Sequence, residues 1–419
     1  MKTKAVRLYG KNDLRLEEFE LPEITDDEIL AKVVSDSLCM SSYKAAIQGA
    51  EHRRVPDDVA ENPIIIGHEF CGEVVQVGKN RVQYAKPGDK FTVQPAMFYK
   101  GSLDAPGYSF PYYGGDATYI VIPHQVFEMD CFLKYESEAF YTGSLAEPLS
   151  CILSGYHVCY HTDPGSYVHQ MGIKKGGKMA LLAGVGPMGL GAIDVALHGP
   201  MRPSLLVVTD IDPVRLERAE KLYPISHARE MGVELHYVNT RDKDAEYVKS
   251  IAGGTGFDDV FVMAPVRPVV EMGDYLLGMD GCMNFFAGPS DTGFKAEFNF
   301  YNVHYGFTHV CSNSGGNKDD LREALDLMSG GAVDPSAMVT HVGGLNCVAE
   351  VTLALPKIPG GKKLIYNHID MPLTAIEDFG GLGNDDPLFV ELAKIVEKTN
   401  GLWSVEAEKY LLEHGKPIG

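Results

Sequence analysis

Met179-Ala180-Leu181-Leu182-Ala183-Gly184-Val185-Gly186-Pro187-Met188-Gly189 is an apolar run that breaks into a glycine-rich turn. Read outward, it is a buried strand, a tight loop and the start of a helix over Leu190 to Leu197. The apolar runs Leu205 to Asp210 and Val260 to Met263 follow, with helical stretches such as Pro213 to Glu220 between. Strands alternating with helices predict a parallel, doubly wound sheet. In that context the glycines permit a tight turn and a close backbone approach to a pyrophosphate at the helix N-terminus. Gly184, Val185, Gly186, Pro187, Met188 and Gly189 are therefore the expected dinucleotide loop. Asp210, 21 positions after Gly189, is placed to bind the adenosine ribose hydroxyls. A carboxylate there repels a 2′-phosphate, which favours NAD(H) over NADP(H). A glycine-rich turn without a ligand is the bland alternative.

The chain before about residue 155 has another rhythm. Ile29 to Val34, Cys71 to Gly78 and Ala117 to Ile122 are short β-branched runs separated by turns such as Lys86-Pro87-Gly88-Asp89. A helix is expected over Asp319 to Met328, a strand over Gly361 to Tyr366 and a helix over Leu388 to Glu397. With 419 residues, two domains are the natural prior.

The net charge of −20 disfavours nucleic acid and anionic membranes as partners. Nothing approaches the roughly 18 consecutive apolar residues of a membrane span. The N-terminus lacks the apolar region of a signal peptide. The eight cysteines are dispersed without a CxxC pair, which fits reduced thiols in a cytoplasm.

Four side chains point to a metal: Cys39, His68, Glu69 and Glu147. Thiolate, imidazole and carboxylates suit zinc, and such dispersed ligands belong to a catalytic site that keeps a position open. Taken singly, Cys39 and Cys71 read equally as small buried hydrophobes, His68 as a core histidine, and the glutamates as surface groups.

Gly67-His68-Glu69-x-x-Gly72, Val77-Gly78, Pro87-Gly88-Asp89, the Cys39 context, Glu147-Pro148-Leu149 and the glycine loop together resemble the zinc-containing medium-chain alcohol/polyol dehydrogenases. The resemblance implies an α/β chain: a GroES-like β-rich catalytic domain plus a Rossmann domain, with zinc in the cleft between them. The segments it implies are 1–155 for the first part of the catalytic domain and 156–317 for the Rossmann domain. Residues 318–375 return to the catalytic domain, and 376–419 form an extension of unknown role. Cys39, His68 and Glu69 correspond to zinc ligands, with Glu147 coordinating directly or through water. Ser37 to Ser42, Pro106 to Pro111, Asn284 to Pro289 and Asn299 to Tyr305 further resemble the branch that reduces L-sorbose 1-phosphate to D-glucitol 6-phosphate.

There are departures. Gln94 to Gly114 has no cysteine where many members hold a structural zinc, so one zinc per chain is expected, catalytic only. Ser41 is placed to pass the hydroxyl proton, and Lys44 stands where a relay histidine is common. Tyr160 to Gly172 is longer than usual. A phosphate needs local cations, and Lys44, His52, Arg53 and Arg54 form either that site or a solvated basic turn. Tyr112, Tyr113 and Asn302 are further polar candidates. The expected assembly is a homodimer or homotetramer with its contact near Asn299 to Val310. The competing functions are an unphosphorylated polyol or secondary alcohol dehydrogenase, and a non-catalytic nucleotide-binding protein.

Overall fold

Ile29–Ser37 is buried almost throughout because it is paired on both sides and covered on both faces. It forms the centre of an eight-stranded sheet. Phe70–Val77 lies antiparallel on one side and Lys362–Tyr366 antiparallel on the other. The sequence expectation stopped this strand at Val34. It runs on through Ser35, Asp36 and Ser37 because those polar groups are buried and hydrogen-bonded. In this computed structural model residues 1–163, 165–383 and 386–419 are described.

The chain divides into two compact units. Unit 1 comprises residues 1–148, 317–329 and 339–419. Besides the large sheet it carries a hairpin, Lys2–Gly10 with Asp13–Glu20, that the sequence reading did not anticipate. The segment after 376 belongs to this unit. Its helices Pro387–Lys398 and Val405–His414, with Trp403 between them, bury Phe389, Leu392, Ile395, Trp403, Ala407 and Leu411 in one core with Leu364 and Tyr366. Glu408 is buried there as an anchor. Its carboxylate accepts from the amides of Phe140 (2.5 Å) and Tyr141 (2.7 Å) and from the Tyr366 hydroxyl (2.8 Å). The Tyr366 hydroxyl in turn accepts from Trp403 Nε1 at 2.7 Å. The extension thus fixes the start of Tyr141–Ser144, the segment that leads into the helix bearing Glu147.

Unit 2 comprises residues 149–316 and 330–338, beginning earlier than residue 155. Its six-stranded sheet is parallel throughout. The spatial order of the strands is Glu234–Asn239, Leu205–Asp210, Lys178–Leu182, Phe257–Val262, Leu277–Asn284, His309–Cys311. That order reverses direction between the third and fourth strands, where doubly wound sheets bind their ligands. Gly330–Met338, expected in the catalytic domain, joins this unit for a visible reason. The Asp334 amide donates to Asp194 (2.8 Å), and Arg218 donates to the Ala337 carbonyl (3.1 Å). The long Tyr160 to Gly172 stretch contains a two-stranded ribbon, Tyr160–Thr162 against His169–Met171. Phe300, Tyr301, Tyr305 and Phe307 are exposed. Among the described residues, no helix is long and apolar enough to cross a membrane.

Candidate active site and nucleotide loop

Three adjacent antiparallel strands bring the metal-type side chains of unit 1 together. Cys39 follows the end of Ile29–Ser37 as N-cap of the helix Met40–Gln48. His68 and Glu69 precede Phe70, which pairs with Asp36. Lys362 opens the strand that pairs with Ser35 to Ser37 on the other side. The turn into His68 needs Gly67, whose φ is +89° and whose Cβ position lies 2.2 Å from Asp36 Oδ2. No other residue fits there.

The ligand atoms of Cys39, His68 and Glu69 all lie within 4.8 Å of one another. Burial lowers His68 to about 4, so its imidazole is neutral and able to coordinate. Burial, reinforced by Glu69, pushes the Cys39 thiol up to about 12. A metal ion is what displaces such a proton. The soft thiol, neutral imidazole and carboxylate fit zinc. Ser41 Oγ donates to Cys39 Sγ (2.9 Å) and stands 3.2 Å from His68 Nε2. Ser42 Oγ is 3.3 Å from His68 Nδ1. Glu147 is buried and its charge acts on Cys39 and Lys362, but it is not one of the close trio.

Lys362 is the residue the sequence reading missed. Its ammonium donates to both oxygens of Glu69 at 2.6 Å, and Ser37 Oγ donates to Oε2. Burial pushes the Glu69 carboxyl up, yet Lys362 and His68 outweigh it and hold the group below the usual carboxylate range. Only its position in an apolar strand would have been visible in the sequence. Tyr108 was also missed. Its hydroxyl is 3.5 Å from His68 Nε2.

The basic group is assembled around Tyr108. His52 stacks on the Tyr108 ring at 5.5 Å, and the Arg54 guanidinium lies 5.5 Å from its centroid. Burial and the neighbouring Arg54, Arg53 and Lys44 charges lower His52 to about 4. Arg54 is half-buried, while Arg53 is exposed. Tyr113 is a core side chain packed against Phe70 and Phe110, which removes it as a substrate contact. Tyr112 is partly exposed beside Phe19. Asn302 lies in unit 2, in the helix Phe300–Tyr305.

In unit 2 the helix after the glycine loop is Pro187–His198, starting earlier than expected because Gly186 is its N-cap and Pro187 suits the first helical position. Gly189 lies against the loop, a Cβ there falling 2.1 Å from the Gly184 carbonyl. Above Gly186 nothing lies within 4 Å, so the helix N-terminus is open to an incoming phosphate. Asp210 is buried at the end of its strand, with Oδ1 accepting from the Ile211 (2.8 Å) and Asp212 (3.0 Å) amides.

Residues 25–130 match the family described as alcohol dehydrogenase GroES-like domain. The chain is 50% identical over 416 residues to L-sorbose 1-phosphate reductase of Klebsiella pneumoniae, covering 99% of this chain and 98% of that protein. It is also 50% identical over 413 residues to mannitol-1-phosphate 5-dehydrogenase of Aliivibrio fischeri, covering 98% and 97%. The chain belongs to the zinc-containing medium-chain alcohol/polyol dehydrogenase family. Its fold is that of 2R,3R-butanediol dehydrogenase from Bacillus subtilis, with a TM-score of 0.69 at 23% identity, covering 87% of this chain and 99% of that one. As a member of this family it is an oxidoreductase of the zinc-dependent polyol dehydrogenase type.

Proposed function

We propose that the protein reduces a ketose phosphate to a polyol phosphate with NADH, L-sorbose 1-phosphate to D-glucitol 6-phosphate being the leading pair. One observation carries this reading: the Cys39–His68–Glu69 cluster shares Tyr108 with a basic group of His52 and Arg54. A metal-type site and an anion-type site on one aromatic ring suit a substrate with a carbonyl at one carbon and a phosphate near it. The names of two relatives alike over nearly their whole length, both acting on sugar phosphates, support the same class.

Cys39, His68 and Glu69 would hold one catalytic zinc, with Glu147 close by, and zinc there supplies Lewis-acid polarisation of the ketone. The remaining work falls to this chain's own groups. Arg54 and Arg53, with Lys44 and His52, bind the phosphate and orient the sugar. Ser41 would pass a proton to the carbonyl oxygen, and a bound nicotinamide would supply the hydride. Gly184 to Gly189 take the pyrophosphate on the helix N-terminus, and Asp210 takes the ribose hydroxyls, which favours NAD(H). The enzyme would act as a homodimer or homotetramer in the cytoplasm, meeting its copies near Asn299 to Val310.

The test is Arg53→Ala with Arg54→Ala. Losing two charge-assisted phosphate contacts at about 1.5–3 kcal/mol each raises KM for the phosphate ester by roughly 100-fold or more, with NADH affinity unchanged. An unchanged KM for the ester would remove the phosphate site and leave an unphosphorylated polyol as substrate.

A further inference from the structure

Among the described residues, a second place where metal-type ligands converge lies in unit 2, on one face of the parallel sheet. Cys282 pairs in register with His309, and Cys311 lies two residues further along the same strand. All three therefore project from the same face. Cys159, directly after the helix ending at Val158, comes down onto them. The Cys282 and Cys311 sulfurs are 3.5 Å apart, and those of Cys311 and Cys159 are 3.8 Å apart. All three ligand atoms fit within 4.8 Å of one another. Three thiolates on one ion at a bond length of about 2.3 Å stand roughly 3.8–4.0 Å apart, so the sulfurs are already near coordination spacing.

A Cys282–Cys311 disulfide fits less well. A diagonal offset of two residues across a ladder puts Cα atoms roughly 7–8 Å apart, beyond the span of an unstrained bridge.

His309 Nε2 faces the Tyr160 carbonyl (2.6 Å) and Nδ1 the Phe307 carbonyl (3.0 Å). His161 Nδ1 faces the Asp280 carbonyl (3.1 Å), and Nε2 faces Asp259 Oδ1 (3.1 Å). The ring of Tyr160 stacks between His169 (4.3 Å) and His309 (4.0 Å). The ribbon formed by the long Tyr160 to Gly172 stretch therefore holds His309 in place.

We propose that Cys159, Cys282 and Cys311 form a second metal site, which binds a thiophilic d10 ion, zinc(II) or copper(I), as a tris-thiolate. Three thiolates around zinc(II) carry one net negative charge. Cys159 and Cys282 are buried while Cys311 is partly accessible, so the ion enters from the Cys311 side. The site is independent of the hydride-transfer chemistry and goes beyond the single catalytic zinc expected from the sequence.

The experiment is metal counting on the reduced full-length protein after loading with zinc(II) or, separately, with copper(I), followed by desalting and elemental analysis. The result expected is two zinc ions per chain, or one catalytic zinc plus one copper. Cys311→Ser, and separately Cys282→Ser with Cys311→Ser, should drop that to one zinc ion while kcat stays within twofold. In Cys39→Ala the second ion should remain, with cadmium giving a thiolate charge-transfer band from these sulfurs alone. Cys311→Ser is the milder variant, because its side chain is only partly buried, so loss of metal without loss of fold is readable. Uptake of copper(I) alone identifies the ion as copper, and uptake of zinc identifies zinc. One equivalent of total metal in the wild type, unchanged metal content in both serine variants, or two thiols missing as a disulfide would each overturn the proposal.

Discussion

Lys362→Met would leave Glu69 as a buried carboxylate without its countercharge. The two Lys362 Nζ–Glu69 distances are 2.6 Å, and the side chains are only 7% and 2% exposed. At an effective dielectric of about 20, charges at that distance attract by about 6 kcal/mol. Desolvation of two ions costs several kcal/mol each, so the intact pair contributes little net stability. Removing one partner is different, because the burial of the other is then uncompensated, at about 3–5 kcal/mol. The cost should appear in chelator-treated protein and shrink when zinc is restored, since a dication beside Glu69 takes over the ammonium's electrostatic role. Trp403, the single tryptophan, is buried in unit 1 and makes its fluorescence a local reporter in urea titrations. Glu69→Gln with Lys362→Met should recover most of the loss, with a coupling energy above about 2 kcal/mol. A chelated Lys362→Met protein within about 0.5 kcal/mol of wild type would refute the reasoning.

Two more outcomes follow from the same unit. Asp36 and Asp116 face each other in the interior, and burial raises Asp116 from 3.8 to about 7. The folded chain therefore holds a proton that the unfolded chain releases near pH 4. Stability is fully present below that pH, falls as pH rises through about 7, and is level above it. Asp116→Asn should flatten that slope in denaturation midpoints measured from pH 4 to 8; an unaltered slope would show that another group causes it. Glu408→Ala removes the acceptor for two amides and the Tyr366 hydroxyl. It should cost roughly 3 kcal/mol or more and slow turnover by loosening the Glu147 segment, measured by urea midpoint and kcat. A loss below about 1 kcal/mol would show that the extension does not anchor that segment.

Particular residues show what the sequence could and could not reveal. Leu205–Asp210 has its expected bounds, because a strand buried on both faces is an apolar run ended by a polar Thr209-Asp210 pair. His68 and Glu69 were legible because Gly67 and Gly72 bracket them at fixed spacing. Lys362 was not, since 293 positions separate it from Glu69 and only strand pairing brings them together. The three sulfurs of unit 2 read as dispersed for the same reason: Cys282 and Cys311 meet through the register of a parallel ladder. The strand Glu234–Asn239, half polar at the sheet edge, has no apolar run to announce it. Cys71 proved a small buried group donating to the Phe140 carbonyl, as isolated cysteines commonly are.

The central claim is best tested by following NADH oxidation with L-sorbose 1-phosphate, L-sorbose and fructose 6-phosphate, each before and after a zinc chelator and again after zinc is restored. The account predicts turnover with L-sorbose 1-phosphate that the chelator abolishes and zinc restores, with L-sorbose at least 100-fold poorer in kcat/KM. Equal or better turnover of the unphosphorylated sugar, or turnover indifferent to chelation, would contradict it.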